Sequence, residues 1–156
     1  MHPTLTLALP DEAATAALAA RVAARARRGD AVLLEGPMGA GKSAFARAFL
    51  RAASGDPRLE VPSPTFTLVQ GYDLPAGPAF HFDLWRLDGP KGDGARAVEE
   101  LGWEEAREGI VLVEWPDRLG DLWPEEALLV ALAPGDDEGA RVARLSGWPG
   151  RLEGLA

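Results

Sequence analysis

Cysteine is absent from this chain, and with it go disulfides, thiolate metal sites and cysteine nucleophiles. Histidine is almost absent. Only His2 and His81 occur, too few for a histidine metal cluster. Lysine is scarce: of 16 basic residues only Lys42 and Lys91 are lysines, so a lysine kept in an arginine-using chain points to a specific need for it. No apolar run reaches the roughly 18 residues that span a bilayer, and no leader pattern is visible. A soluble cytoplasmic protein without membrane contact is the expectation. Positive charge is also in deficit, since 24 acidic residues against 16 basic ones leave −8. Such a chain is a poor candidate for gripping a nucleic-acid backbone unaided. Arg21, Arg25 and Arg28 recur at helical spacing, but this reads as a solvated helix face.

What is present begins with Gly36-Pro37-Met38-Gly39-Ala40-Gly41-Lys42-Ser43. It fits G-x-x-x-x-G-K-[ST], the phosphate-binding loop of nucleoside triphosphatases. Gly36, Gly39 and Gly41 allow the tight turn that aims backbone N–H groups, through Met38 and Ala40, at phosphate oxygens. Lys42 suits the β- and γ-phosphates and Ser43 suits Mg²⁺. The apolar run Ala31 to Leu34 leads into the loop as a buried strand. Phe45, Ala48, Phe49 and Ala52 follow at helical spacing, with Ser54-Gly55 as a stop.

At 156 residues the chain is expected to be one domain, 1–156, of the α/β class: a compact P-loop NTPase-type domain with a mixed β-sheet flanked by helices. Leucine at every second position predicts a first strand over Thr4 to Leu9. A helix follows, capped by Asp11, with Ala14, Leu18 and Val22 inward and Gly29 at its end. Two prolines in Val61 to Thr65 forbid a regular helix. Phe66 to Tyr72 and Ala79 to Leu84 read as strands joined by a loop from Asp73 to Pro78, longer than the tightest hairpins. Gly89 to Gly94 reads as a loop, then helix from Ala95 to about Leu101 and again from Trp103 to Arg107. Ile110 to Glu114 is a buried strand broken by Trp115-Pro116. Two last strands, Leu128 to Ala133 and Ala140 to Ser146, flank an acidic turn.

Hydrolysis also needs carboxylates near the metal. Asp83 and Glu114 end apolar strands, where a charge is costly to bury unless a partner such as Mg²⁺ compensates it. The other reading is a strand-end acid in solvent or paired with an arginine such as Arg86. Ser63, Thr65 and Thr67 by spacing alone read as turn chemistry. His81 reads as a strand residue with an ordinary hydrogen bond rather than a ligand, and Trp115 as a packing side chain.

Taken together, Gly36 to Ser43, Ser63-Pro64-Thr65-Phe66-Thr67-Leu68, His81-Phe82-Asp83-Leu84-Trp85-Arg86 and Val113-Glu114-Trp115-Pro116 resemble the TsaE (YjeE) family. Its members are P-loop ATPases of bacterial tRNA threonylcarbamoyladenosine biosynthesis. The resemblance runs from about Leu9 to Pro116 and more weakly to Arg141-Val142-Ala143-Arg144. It implies ATP with Mg²⁺, slow hydrolysis, and work beside the TsaB and TsaD proteins. By position it implies Lys42, Asp83 and Glu114 as catalytic residues, and Ser43, Asp83 and Glu114 at the metal. It also implies Thr65 in a switch-like segment and a nucleotide contact for Arg141. Pro37-Met38 replaces the family's common Asp-Leu, so a polar role there is missing. A small-molecule kinase on the same loop and a nucleotide sensor that never turns over remain the alternatives.

Overall fold

The computed structural model describes residues 4–87 and 94–155; the loop expected from Gly89 onward lies outside them, except for Gly94, and so does Lys91. Seven strands form one sheet in the order β1-β7-β6-β2-β5-β4-β3. These are β1 (Thr4–Leu9), β2 (Ala31–Glu35), β3 (Val69–Leu74), β4 (Gly77–Asp83), β5 (Ile110–Glu114), β6 (Leu128–Pro134) and β7 (Arg141–Ser146). The middle four, β6, β2, β5 and β4, are parallel. The flanks are antiparallel, with β7 on β6, β1 on β7, and β3 on β4.

Alternation divides the core in two. Val32 and Leu34 of β2 and Ile110 and Leu112 of β5 meet α1 (Glu12–Arg25) and α2 (Lys42–Ser54), where Leu18, Val22, Phe45 and Phe49 are fully buried. Ala31 and Leu33, with Val111 and Val113, face the other way onto Val98, Trp103 and Leu119. That second layer is α3 (Gly94–Glu100), α4 (Trp103–Ala106) and a kinked 3₁₀ stretch over Pro116–Leu122. Phe82 meets Trp103 edge-on there, with ring centroids 5.3 Å apart. Among the described residues, no helix is long and apolar enough to cross a membrane.

Several boundaries differ from expectation, each for a local reason. Asp11 caps α1 by accepting from the Ala14 N–H at 2.8 Å, as expected, but the helix ends at Arg25 rather than Gly29. The Asp30 carboxylate takes the Arg27 N–H at 2.6 Å and closes a separate turn. On α2 the buried stripe is Phe45, Ala46, Phe49 and Leu50, whereas Ala52 is exposed. β3 starts at Val69, three residues late, because Leu68 turns through φ 71° and donates to the Pro64 carbonyl at 2.6 Å. The β3–β4 loop shrinks to Pro75-Ala76, a tight hairpin whose strands pair Leu74 with Gly77.

Candidate nucleotide site

Strand parity gathers the chemistry at one end of the sheet. On β5, Glu114 continues the Ile110 and Leu112 side, which faces α1 and α2. On β4, Ala79 lies on that side and Phe82 on the opposite one, so His81 and Asp83 follow Ala79. Asp83 and Glu114 are direct partners across the parallel ladder. β2 ends beside them, and the glycine loop carries the chain into α2, whose first residues are Lys42 and Ser43. The loop needs its glycines sterically. Gly36 has φ 150°, and a Cβ there would fall on the Leu132 carbonyl oxygen.

Lys42 is only 5% exposed. Its Nζ donates to the Gly36 carbonyl and lies 3.4 Å from the ring centroid of Trp115. Burial lowers its pKa from the ordinary 10.5, and the negative charges of Glu114, Asp83 and Asp117 oppose that shift. Trp115 adopts φ 60°, ψ 54°, a left-handed conformation that a bulky residue takes only when its surroundings enforce it. The enforcement is visible: its ring packs on Trp85 at 4.7 Å as well as under Lys42.

Both carboxylates are buried, Asp83 at 5% and Glu114 at 2% exposure, and neither has an idle oxygen. Glu114 Oε1 accepts from Ser43 Oγ at 3.0 Å, and Oε2 lies 2.7 Å from His81 Nε2. Asp83 Oδ2 accepts from Thr65 Oγ1, and Oδ1 from the Trp85 N–H, both at 3.1 Å. Ser63 Oγ stands 2.8 Å from Thr65 Oγ1 and extends this chain of hydroxyls. Arg86, the arginine considered for Asp83, lies over the Phe66 ring instead.

These groups surround a cavity of about 360 Å³. Of the residues singled out in the sequence, Lys42, Ser43, Thr65, Asp83, Glu114 and Arg141 line it, with Met38, Gly39 and Gly41 on the loop side. Gly36 and Ala40 do not. Gly36 holds Lys42 through its carbonyl, and Ala40 is fully buried beneath the loop. Arg141 clamps the loop from β7, donating from Nε to the Ala40 carbonyl at 2.8 Å and from Nη2 to that of Gly39 at 3.2 Å. Ser63, read as turn chemistry, and Trp115, read as a packing side chain, also line the cavity, and Trp85 does so without having been singled out. The signal for the His81–Glu114 contact was parity, because His81 and Asp83 are two apart on one strand.

The donor set is hard oxygen: one hydroxyl and two carboxylates. Among the described residues, no three His, Cys, Asp or Glu side chains gather into a cage for a metal. This fits Mg²⁺, which takes one or two protein carboxylates and fills its shell with water and phosphate.

The family model described as "Threonylcarbamoyl adenosine biosynthesis protein TsaE" matches residues 9–143. The chain belongs to the TsaE family. The tRNA threonylcarbamoyladenosine biosynthesis protein TsaE of Bacillus subtilis is 36% identical over 132 residues, covering 83% of this chain and 77% of that protein. The TsaE of Rickettsia bellii is 35% identical over 131 residues, covering 83% of this chain and 87% of that protein. The crystal structure of Bacillus subtilis YdiB superposes with a TM-score of 0.75 at 28% identity, covering 99% of this chain and 93% of that one. The P-loop fold class expected from the sequence, a mixed sheet flanked by helices, therefore stands.

Proposed function

We propose that this protein is a Mg²⁺-dependent ATPase that serves tRNA threonylcarbamoyladenosine modification and works with the TsaB–TsaD proteins. The observation that carries the reading is the convergence of Lys42, Ser43, Asp83 and Glu114 on one cavity at the glycine loop, with Ser43 bonded to Glu114 and Asp83 beside Glu114 across the parallel ladder. Loop amides and the Lys42 ammonium receive the phosphate charge, with α2 adding the positive end of its dipole. Ser43, Asp83 and Glu114 would hold Mg²⁺, which when bound would neutralise charge on the transferred phosphoryl group. Glu114, bonded through its two oxygens to Ser43 and His81, would orient the attacking water. Trp85 and Trp115 wall one side of the cavity. A neighbouring hollow of about 440 Å³ between α1 and α2 shares Ala44 with the site and has room for the nucleoside end.

The test is a phosphate-release assay with Mg²⁺-ATP, alone and with TsaB–TsaD. Slow release that rises with the pair and vanishes in Lys42→Ala supports the reading. ATP binding without release under either condition makes the protein a sensor. Phosphate found on a metabolite makes it a kinase.

A further inference from the structure

We propose that His81 is the positioning residue for Glu114, an inference that rests on the hydrolytic reading above. His81 stands inside β4, only 1% exposed, paired through its strand with β3 on one side and β5 on the other. An apolar side chain would fill this place without the desolvation cost of an imidazole. The ring makes one polar contact. Nε2 lies 2.7 Å from Glu114 Oε2, and Nδ1 has no hydrogen-bond partner among the described residues. A carboxylate accepts and does not donate, so the Nε2–H donates to Oε2.

With Oε2 pinned by a ring rooted in a central strand, Oε1 is the oxygen turned toward Ser43 and the cavity. Without His81, Oε2 is left buried and charged with no donor, a costly arrangement. The carboxylate is then free to rotate away from the orientation that presents Oε1 to Ser43. That rotation takes Glu114 from its water-orienting geometry. His81 touches neither phosphate nor water; it acts through Glu114. A partner of this kind, one bond removed from the reacting groups, typically matters by one to two orders of magnitude.

The experiment compares His81→Leu, similar in size but without a donor, and His81→Gln, whose amide nitrogen reaches the position of Nε2. Each is made alone and with Glu114→Gln. ATP turnover is measured as kcat and KM, and ADP affinity by calorimetry. His81→Leu is expected to lower kcat about tenfold with KM and ADP affinity within about twofold of wild type, and His81→Gln to restore kcat to within about threefold. In the Glu114→Gln background the leucine change is expected to cost less than about twofold, because the group it acts through is gone. Should His81→Leu fail to fold, His81→Asn, whose shorter amide falls short of Oε2, takes its place in the same comparison. Wild-type kcat in the donor-less variant overturns the inference. So does a loss shared by ADP affinity, a glutamine variant no better than leucine, or an undiminished loss beside Glu114→Gln. If the wild-type protein itself releases no phosphate, the hydrolytic reading fails first and the positioning role falls with it.

Discussion

At the scale of single residues, Lys42 is a cation held almost out of solvent, a placement that costs the fold stability. Burial lowers its pKa from 10.5, so between the lowered value and 10.5 the unfolded chain holds the proton that the fold has lost. Stability therefore rises with pH through that window, and below it the fold carries the full cost of burying a charged amine. Lys42→Met, of similar length and uncharged, is expected to unfold at or above the wild-type temperature at pH 7 without nucleotide. Any excess should shrink as pH approaches 10.5. ATP binding should be lost in the same variant, since the charge is what the phosphates require. Thermal unfolding across pH with nucleotide titration checks both, and a clear drop in melting temperature at pH 7 would show that Lys42 is a structural group. Glu114→Gln is a gentler change, because the amide oxygen can still accept from His81 and the amide nitrogen can donate to the Ser43 hydroxyl. Nucleotide binding should persist while turnover falls at least about tenfold, about 1.4 kcal/mol in the transition state. Single-turnover kinetics with ATP and Mg²⁺ decides it; turnover near wild type would make Glu114 a purely structural acid.

At the scale of elements, the stretch between α2 and β3 is held to the site by few bonds. Thr65 donates to Asp83, and the Asp83 N–H donates to the Leu68 carbonyl at 3.0 Å. Phe66 stands between them with 81% of its surface exposed. Thr65→Val keeps the shape and removes the hydroxyl, leaving Asp83 Oδ2 short of a donor at a cost of about 1–3 kcal/mol. Chymotrypsin should then cut after Phe66 faster than in wild type under native conditions, with turnover also reduced. Equal cutting would mean that the Leu68 contacts alone hold the segment. This segment also marks where sequence reading ran short. The parallel strands β2 and β5 and the helix α2 were legible because continuous apolar runs and a 3.6-residue stripe have one reading each. The tight hairpin was not, since four of the six residues from Asp73 to Pro78 are turn formers. Yet Pro78 fits β4 because it precedes the ladder to β5, which starts at Ala79, so no amide is needed there. The glycine loop, Asp83 and Glu114 were legible as residue types. The clamp of Arg141 on the loop, 101 residues from Ala40, and the His81 contact depend on strand order and register, which a linear string does not display.

At the scale of the whole molecule, the decisive property is charge. The chain carries −8, while the proposed reaction serves a tRNA, and a protein that receives tRNA must present basic surface to it. If the TsaB–TsaD pair offers that surface, an acidic ATPase is attracted to the same region, and long-range steering favours their encounter. The two acidic ligands then compete. Three outcomes are expected: weak binding of tRNA to this protein alone, affinity for TsaB–TsaD that falls as salt rises, and displacement of the protein by tRNA at fixed nucleotide. The second distinguishes steering from apolar docking, because screening acts over about 10 Å at 0.1 M salt and leaves buried apolar contacts nearly untouched. The third separates exclusive docking from conformational coupling. Labelled protein on the TsaB–TsaD complex is titrated with tRNA, with ATP or ADP held saturating. Release that tracks tRNA occupancy means that tRNA and this protein share one surface. Unchanged affinity at saturating tRNA means that the two occupy separate places, and that ATP must act on the enzyme through a change of shape.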